Sequence, residues 1–201
     1  STLIPLAGPA NKQARIAAGN ILGNSEEYCG TQGTSIVKVF GMTVAITGNN
    51  EKVLTRNGVE FEKSFTHSPS HAGYYPNAAS MSVKLMFSTA DGKILGAQIV
   101  GFEGVDKRID VIATAIRAGM TVHDLEKLEL AYAPPYSSAK DPVNIAGFTA
   151  SNTLKGHSKL IHWNQIHSIN HADTILVDVR TKEEYDLGTI QGAVNIPLDE
   201  L

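Results

Sequence analysis

The chain has 201 residues, of which 42% are hydrophobic and 18% charged, with a formal net charge of −3 and a single cysteine. This composition supports a globular core, and the lack of a basic run or basic helix face argues against nucleic acid and a membrane as partners. No apolar stretch approaches the roughly 18–20 residues that span a bilayer, and one cysteine cannot form an internal disulfide, so we expect a cytoplasmic protein.

An alanine-rich helix is predicted near the start of the chain. Residues 3–9 are expected to form a loop bounded by proline and glycine, and residues 10–22 a helix that ends at Gly23. The Gly8-Pro9 pair before this helix leaves backbone N–H groups free at its N-terminus, which is a favourable position for an anion.

The next part of the chain has the pattern of an antiparallel sheet. Residues 35–40 and 42–47 are β-branched runs, and Arg56-Asn57-Gly58 is typical of a hairpin turn. Residues 81–89 and 93–100 form a second clear hairpin pattern. Between the hairpins, three apolar residues alternate with polar ones, which predicts a strand that buries them on one face: Val59, Phe61 and Phe65.

Two helices are predicted after the second hairpin. Residues 105–118 carry apolar side chains at i, i+3, i+4 and i+7 and stop at Gly119. The basic residues of this helix are assigned to a solvated face: Lys107, Arg108 and Arg117. Thr121 is expected to cap a second, short helix that runs to about Leu128.

A proline- and tyrosine-rich loop at residues 131–144 stands out from the rest of the chain. Pro134 and Pro135 fix φ and remove two backbone donors, so the segment is expected to be stiff and extended and to present its tyrosines. Ser137-Ser138 followed by Pro142 reads as an N-cap and first turn of a last helix, which ends at about Leu154. Such a loop suggests a site or an interface, with a plain surface loop as the alternative.

The remaining candidates for chemistry are weaker. Cys29 has no histidine nearby and no second cysteine at Cys-x-x-Cys spacing, so an inert thiol is preferred over a redox centre. Prolines on both sides of the His67 and His71 pair argue against the helix that a metal site would need. The later histidines are spaced 5, 5 and 4 apart, which fits no standard ligand set: His157, His162, His167 and His171. No metal site is predicted.

The pattern changes after a short linker that begins at Lys155. A short helix at residues 163–168 precedes a buried strand at 174–179, a helix at 181–187 and another strand at 193–196. Alternating strands and helices predict a small parallel sheet, which is a second fold class.

Three stretches resemble known families. Residues 5–15, PLAGPANKQAR, resemble the last segment of the FAD domain of the pyridine nucleotide–disulfide oxidoreductases. Residues 33–154, with HAGYYP at 71–76 and AYAPPYS at 131–137, resemble the dimerisation domain of that family, in particular of the coenzyme A-disulfide reductases. Residues 177–197, with VDVR and GAVNIP, resemble the first part of a rhodanese domain. This order is that of coenzyme A-disulfide reductase–rhodanese fusions, also described as persulfide reductases.

The resemblance implies an α+β fold, with a mostly antiparallel sheet and helices, followed by the start of an α/β rhodanese-like domain. It implies four segments: 1–30 as the end of the FAD-binding domain, 31–155 as the dimerisation domain, 156–165 as a linker and 166–201 as a truncated rhodanese-like domain. The chain starts without a methionine and ends just after a strand, so we expect a piece of a longer protein.

The resemblance also implies an activity for the parent protein. It is expected to be a homodimeric, FAD-dependent enzyme that uses NADH or NADPH to reduce coenzyme A disulfides or persulfides. The redox cysteine, both nucleotide fingerprints and the rhodanese cysteine are expected outside this chain, and Cys29 matches none of them. The chain alone is therefore expected to be inactive.

Site residues are carried over by the same resemblance. Tyr74 and Tyr132 are the expected catalytic residues, supplied across the dimer to donate hydrogen bonds or a proton to a leaving thiolate, since a tyrosine stays protonated at neutral pH. His71 and Tyr75 are expected at the substrate. Five residues are expected beside the flavin: Leu6, Ala7, Gly8, Pro9 and Pro134. Disulfide reductases that use a histidine–glutamate pair would show His-Pro where this chain has Tyr-Ala-Pro-Pro.

Three alternatives stay open at this point. The chain could be a dimerisation scaffold without catalytic function, or the same domain of an NADH oxidase or peroxidase. Each tyrosine could also be a buried ring whose hydroxyl satisfies a backbone group.

Overall fold

A five-stranded antiparallel sheet forms the centre of the first part of the chain. The computed structural model describes residues 3–170 and 172–201, so Ser1, Thr2 and His171 lie outside the described residues. Its described residues divide into two compact units, and the boundary in the sequence lies between Lys159 and Leu160. The bounds of its strands are β1 Ser35–Val39, β2 Met42–Gly48, β3 Glu62–Pro69, β4 Ser80–Phe87 and β5 Ile94–Gly101. They lie in the order β1-β2-β5-β4-β3, and every neighbouring pair is antiparallel.

The described residues of the first unit also form five α-helices. Their bounds are α1 Ala7–Ile21, α2 Glu51–Arg56, α3 Val105–Arg117, α4 Val122–Lys127 and α5 Pro142–Leu154. Helix α3 packs on β2 and β5, α5 packs on β3 and β4, and α4 packs on α5. The core between them is aliphatic apart from Phe87, and most of its large side chains come from the sheet and from α3, among them Met81, Leu85, Ile99, Ile109 and Ile112. The predicted fold class and the antiparallel sheet are confirmed.

The prediction of a hairpin turn at Asn57-Gly58 is wrong. Residues 51–56 form the short helix α2, because the side chain of Asn50 accepts a hydrogen bond from the Val53 N–H at 3.0 Å and caps it. Asn57 and Gly58 then end this helix, with Gly58 at a φ of 64°. An Asn-Gly pair provides the positive φ that either a hairpin turn or a helix end requires, so the pair alone does not distinguish them.

The buried face of β3 is also the opposite of the predicted one. Phe65 is 43% exposed, whereas Ser64, Thr66 and Ser68 are buried. The register explains the difference, since these three residues stand opposite the core residues of β4, namely Leu85, Val83 and Met81. Phe65 instead stands opposite Lys84, whose ammonium group lies 5.5 Å from the centre of the Phe65 ring. Packing against β4 has overridden the local alternation.

Two helices begin at other residues than expected. Helix α1 begins at Ala7, so Gly8 and Pro9 lie within its first turn, where the missing N–H of proline has no intrahelical partner to lose. Helix α5 begins at Pro142 and is capped by Asp141, whose side chain accepts from the Val143 N–H at 3.0 Å. The N-cap was expected at Ser137-Ser138, but proline in the first turn is confirmed.

The second unit, from Leu160 to Leu201, contains a parallel strand pair. Its strands are β6 Val177–Asp178 and β7 Val194–Asn195, and helix α6 Lys182–Asp186 connects them. Two 3-10 helices, Trp163–Ser168 and Leu198–Glu200, complete the unit. The predicted order of strand, helix and parallel strand is confirmed, with shorter strands than expected. Across the described residues, no helix has the length and apolar character to cross a membrane.

We predict that two buried hydroxyl groups destabilise the fold. Ser64 Oγ and Thr66 Oγ1 are buried under α5 without a hydrogen-bond partner in the described part of the chain. An unsatisfied buried hydroxyl costs roughly 1–3 kcal/mol, so Thr66→Val and Ser64→Ala are each expected to raise the free energy of unfolding by about 1 kcal/mol in urea denaturation.

Thr47 provides the matched control for this prediction. It is equally buried, but its hydroxyl lies 2.7 Å from that of Thr34 and accepts from Gln32 Nε2 at 3.1 Å. Thr47→Val is therefore expected to lower stability by about 1 kcal/mol. If Thr66→Val lowered it as much as Thr47→Val, the hydroxyl of Thr66 would have a partner.

Candidate functional site

Two loops bring Tyr74 and Tyr132 together. One loop follows β3 and the other joins α4 to α5. The hydroxyl oxygens of the two tyrosines lie 3.3 Å apart, within hydrogen-bonding distance. Tyr74 is 78% exposed and Tyr132 is 48% exposed, so both hydroxyls can be reached from outside the subunit. The alternative of buried rings whose hydroxyls satisfy backbone groups does not describe either residue.

The contact between the tyrosines affects their ionisation. The hydrogen bond with Tyr132 raises the pKa of Tyr74 above its ordinary value, as expected when Tyr74 is the donor, because ionisation removes the proton that it donates. Tyr74 therefore stays protonated at neutral pH although it is exposed. A protonated phenol can donate a hydrogen bond or a proton to a developing negative charge.

The backbones of the two loops are tied to each other. The Ala72 N–H donates to the carbonyls of Pro134 at 3.3 Å and Ser137 at 3.0 Å. Within the second loop, the N–H groups of Tyr136 and Ser137 both donate to the Ala133 carbonyl, so the two prolines lie inside a turn and not in the extended segment that was expected. Pro134 thus belongs to the loop that carries Tyr132, and its carbonyl links this loop to the loop that carries Tyr74.

Arg108 lies beneath these loops, and its assignment to a solvated face is wrong. It is 1% exposed, and its guanidinium group donates to both oxygens of the Asp141 carboxylate, at 3.0 Å for the Nη2–Oδ2 pair. Nη2 also donates to the Ser70 carbonyl at 2.9 Å and to Ser137 Oγ at 3.1 Å, and Nη1 donates to the Gly104 carbonyl at 3.2 Å. A buried charge is tolerated when its donors find acceptors and an opposite charge in this way.

The sequence does contain a signal for the burial of Arg108. It lies three residues after Val105 and four before Ile112, which is the spacing of the buried stripe of α3. The charge of Arg108 predicts exposure and its position in the stripe predicts burial, and the structure follows the position. A charged residue in phase with an apolar stripe indicates a buried counter-charge elsewhere, which here is Asp141.

Asp141 is the second half of this ion pair. Burial alone would raise the pKa of its carboxyl group, but hydrogen bonds from Ser137, the Val143 N–H and Arg108 outweigh burial and lower it. The Ser137 hydroxyl donates to Asp141 Oδ2 at 2.6 Å, and Lys107 Nζ lies 3.7 Å from the same oxygen. Asp141 is therefore an ionised, buried carboxylate that also caps α5.

His71 holds the first loop from the inside. The ring is buried, with Nε2 3.0 Å from the Pro76 carbonyl and Nδ1 3.1 Å from Ser70 Oγ. A carbonyl can only accept, so Nε2 carries the proton and Nδ1 accepts from the serine hydroxyl in the neutral ring. The ring also meets Tyr75 edge to face, with centroids 5.9 Å apart. Both nitrogens of His71 are engaged within the loop, whereas Tyr75 is partly exposed.

The residues expected beside the flavin lie at the start of α1. Leu6 is the N-cap and Ala7, Gly8 and Pro9 form the first turn, with no capping side chain and no acidic residue in that turn. Leu6, Gly8 and Pro9 border a cleft of about 860 Å³ that is also lined by Lys12 and Arg15, whereas Tyr132 borders a separate cavity of about 420 Å³. Four of the five residues are thus together, and Pro134 is in the other loop.

Asp178 and Arg180 form an ion pair within the second unit. Arg180 Nη2 donates to Asp178 Oδ2 at 2.6 Å and to the Gly188 carbonyl at 2.7 Å, and the Thr189 hydroxyl donates to the same Asp178 oxygen at 2.9 Å. The hydrogen bond from Arg180 is the main reason why the pKa of Asp178 lies below its usual value. These contacts fix the turn around α6, which is a structural role.

Two family models match the chain. The model described as the pyridine nucleotide-disulphide oxidoreductase dimerisation domain matches residues 34–142, and the model described as the rhodanese-like domain matches residues 162–201. The first covers the antiparallel sheet, α3, α4 and both tyrosines. The second covers the parallel strand pair.

Several characterised proteins are similar to the chain. Coenzyme A disulfide reductase from Staphylococcus haemolyticus is 39% identical over 148 residues, which are 73% of this chain and 33% of that protein. The structure of the reduced Bacillus anthracis CoADR-RHD is 54% identical with a TM-score of 0.94, over 99% of this chain and 36% of that one. The NAD-dependent persulfide reductase from A. fulgidus is 38% identical with a TM-score of 0.89, over the same shares.

A more distant structure shares the fold alone. The water-forming NADH oxidase from Lactobacillus brevis is 20% identical, with a TM-score of 0.74 over 78% of this chain and 35% of that one. In all of these comparisons the chain spans about a third of the length of its relatives.

We predict that Asp141→Asn lowers the free energy of unfolding by about 3–5 kcal/mol, because asparagine can still cap α5 but leaves the buried Arg108 charge without its counter-charge. Urea denaturation at neutral pH measures this loss. The folded state lowers the pKa of Asp141, so the difference should persist above the ordinary carboxyl pKa of about 3.9 and shrink as the pH falls through the lower folded value.

Glu60→Gln is the control for this comparison. Glu60 is exposed, and its neutralisation is expected to change stability by less than about 0.5 kcal/mol. A loss at Asp141 that is no larger than the control, or that is unchanged in strong acid, would contradict the ion-pair interpretation.

Proposed function

The chain belongs to the pyridine nucleotide–disulphide oxidoreductase family, and from this membership we propose that it completes the active site of a flavin-dependent reductase of coenzyme A disulfides or persulfides. Its relatives include coenzyme A disulfide reductases and an NAD-dependent persulfide reductase. The observation that carries the proposal is the tyrosine pair: two exposed hydroxyls 3.3 Å apart on two loops that are tied together.

The tyrosines act as donors to sulfur in this proposal. When a thiolate attacks a disulfide, a new S–S bond forms, the old one breaks, and the expelled sulfur leaves with the electron pair as a thiolate. Tyr74 or Tyr132 donates a hydrogen bond or its proton to that sulfur, which stabilises the leaving group. The raised pKa of Tyr74 keeps this donor protonated at neutral pH.

We place the tyrosines at the active site of a partner subunit. The exposure of both rings supports this arrangement, because they point out of their own subunit's core while the loops beneath them are anchored in it. A second copy of the chain in a homodimer is the partner that the dimerisation domain implies. Each dimer then has two sites, and each site takes its tyrosines from the opposite chain.

The start of α1 fits one edge of a flavin site. The N–H groups of Ala7 and Gly8 precede the first intrahelical bond, which Ala10 donates to the Leu6 carbonyl at 3.2 Å. These free donors at a helix N-terminus, with Lys12 and Arg15 in the same cleft, suit a polar or anionic edge of FAD. Bound FAD would supply electrons from NADH or NADPH, and the residues from Leu6 to Pro9 would orient it.

Two further residues have supporting roles in the proposal. Tyr75 is partly exposed next to Tyr74 and is proposed to contact the substrate. His71 was expected beside the substrate as well, but its ring is buried and both nitrogens bond within the loop. We propose that it supports substrate binding by holding the shape of the loop that carries Tyr74 and Tyr75.

Replacing the tyrosines tests the catalytic proposal. In the complete flavoenzyme, Tyr74→Phe and Tyr132→Phe are each expected to lower kcat with a coenzyme A disulfide or persulfide by about 100-fold, the usual scale of a general acid. The double variant should lose little more, since the two hydroxyls act as a unit. Steady-state rates measure kcat, and stopped-flow reduction of the flavin by NADH should be unchanged.

Tyr185→Phe is the matched control, because it removes a hydroxyl in the second unit that donates to the Ala193 carbonyl. It should leave both rates unchanged. Full activity of the Tyr74→Phe, Tyr132→Phe double variant would reject the assignment of the tyrosines as donors.

The dimer is tested by the mass of the chain in solution. Sedimentation equilibrium of the 201-residue chain at micromolar concentration is expected to give about twice the mass of 21.5 kDa, because the dimerisation domain is present. A strict monomer over the whole concentration range would contradict the proposed exchange of tyrosines between subunits.

A further inference from the structure

Arg108 contacts both loops that carry the tyrosine pair, and we propose that it is the positioning residue for that pair. It does not reach the hydroxyls, so it is not a catalytic residue. Its guanidinium group instead bonds the first loop at the Ser70 carbonyl and the second loop at Ser137 Oγ. The inference rests on the proposed function for its catalytic meaning, but the geometry it describes can be tested without catalysis.

The bonds of Arg108 lie close in sequence to each tyrosine. Ser70 precedes Tyr74 by four residues, and Ser137 follows Tyr132 by five. The Ala72 N–H adds the direct link between the loops, to the carbonyls of Pro134 and Ser137. With Arg108 in place, each loop is bonded both to the other loop and to the buried guanidinium group.

The geometry requires an arginine. Three of its nitrogens donate in three directions, to Asp141, to the pair of loops and to the Gly104 carbonyl. A lysine has one nitrogen with three donors and cannot span these acceptors. Gly104 also shows how closely the group is enclosed, since a Cβ atom there would lie 2.2 Å from Arg108 Nη1.

The tyrosine contact is sensitive to the position of the loops. Its distance of 3.3 Å is near the long limit for a hydrogen bond between oxygens, so a shift of about half an ångström removes it. Misplacing a catalytic group by about 1 Å can lower a rate about 100-fold. Loss of the Arg108 bonds therefore affects the pair even if the fold persists.

The test measures whether the pKa of Tyr74 still depends on the hydroxyl of Tyr132. Tyrosines of the full chain are labelled with ¹³C at Cζ, and the ionisation of Tyr74 is followed by NMR, with Tyr→Phe variants used for assignment. In the native background, Tyr132→Phe should lower the pKa of Tyr74, because the bond with Tyr132 raises it. In the Arg108→Lys background, Tyr132→Phe should leave it unchanged.

Two outcomes overturn the proposal. An equal response of Tyr74 to Tyr132→Phe in both backgrounds would show that the pair forms without Arg108. No response in either background would show that the pair itself does not form. Circular dichroism at each pH confirms that the compared proteins are folded, so a general loss of structure is not mistaken for uncoupling.

Ser137→Ala replaces Arg108→Lys in this test if the Arg108→Lys protein does not fold. It removes the hydroxyl that accepts from Arg108 and donates to Asp141 but leaves both charges in place. A weaker response of Tyr74 to Tyr132→Phe is expected in this background, and a full response would overturn the proposal. Arg56→Lys makes the same chemical change at an exposed position of α2 and should retain the full response.

Activity of the complete flavoenzyme separates this inference from the proposed function. Arg108→Lys is expected to lower kcat about 100-fold, and adding Tyr74→Phe should then have little further effect because the pair is already disrupted. If the NMR coupling is lost while kcat stays native, Arg108 does position the pair and the catalytic role of the tyrosines is rejected. If kcat falls while the coupling persists, positioning by Arg108 is rejected.

Discussion

The buried ion pair of Arg108 and Asp141 is the constraint on which the candidate site depends. Removing two charges from water costs several kcal/mol each, and their attraction offsets this only when the remaining donors and acceptors are satisfied. Two of the partners that satisfy them are the Ser70 carbonyl and the Ser137 hydroxyl. Because these belong to the two tyrosine loops, the requirement to solvate a buried charge also determines where both loops lie.

In this arrangement, the side chains proposed to act on a ligand are separate from the side chains that hold the loops in place. The tyrosine rings are exposed and free to meet a ligand, while the bonds that hold their loops are buried in the core of the subunit. Asp141 joins the two parts, since it neutralises Arg108 and caps α5, the helix that packs on β3. A change in the packing of α5 can therefore reach the tyrosines through one carboxylate.

The sequence predicts this structure well where the pattern is local and poorly where the partner is distant. The apolar repeat of Val105–Arg117 and the hairpin of β4 and β5 depend on neighbours, and both are confirmed. The proline loop and its tyrosines were found because proline acts on the residues beside it. The position of Arg108 in the apolar stripe of α3 indicates burial, but the counter-charge that permits it, Asp141, lies 33 residues later. The buried face of β3 differs from the local alternation because pairing with β4 decides it.

An exposed tyrosine pair suits a site that is assembled between two chains. A histidine donor in such a place would titrate near neutral pH, so its charge would change before a partner covered it. A phenol with a pKa near 10 is neutral whether it is exposed or covered, and the hydrogen bond between Tyr74 and Tyr132 raises the pKa of Tyr74 further. In the proposed dimeric site, the pair would therefore carry no charge to be desolvated when a second subunit covers it, and its protons would remain available to a leaving thiolate.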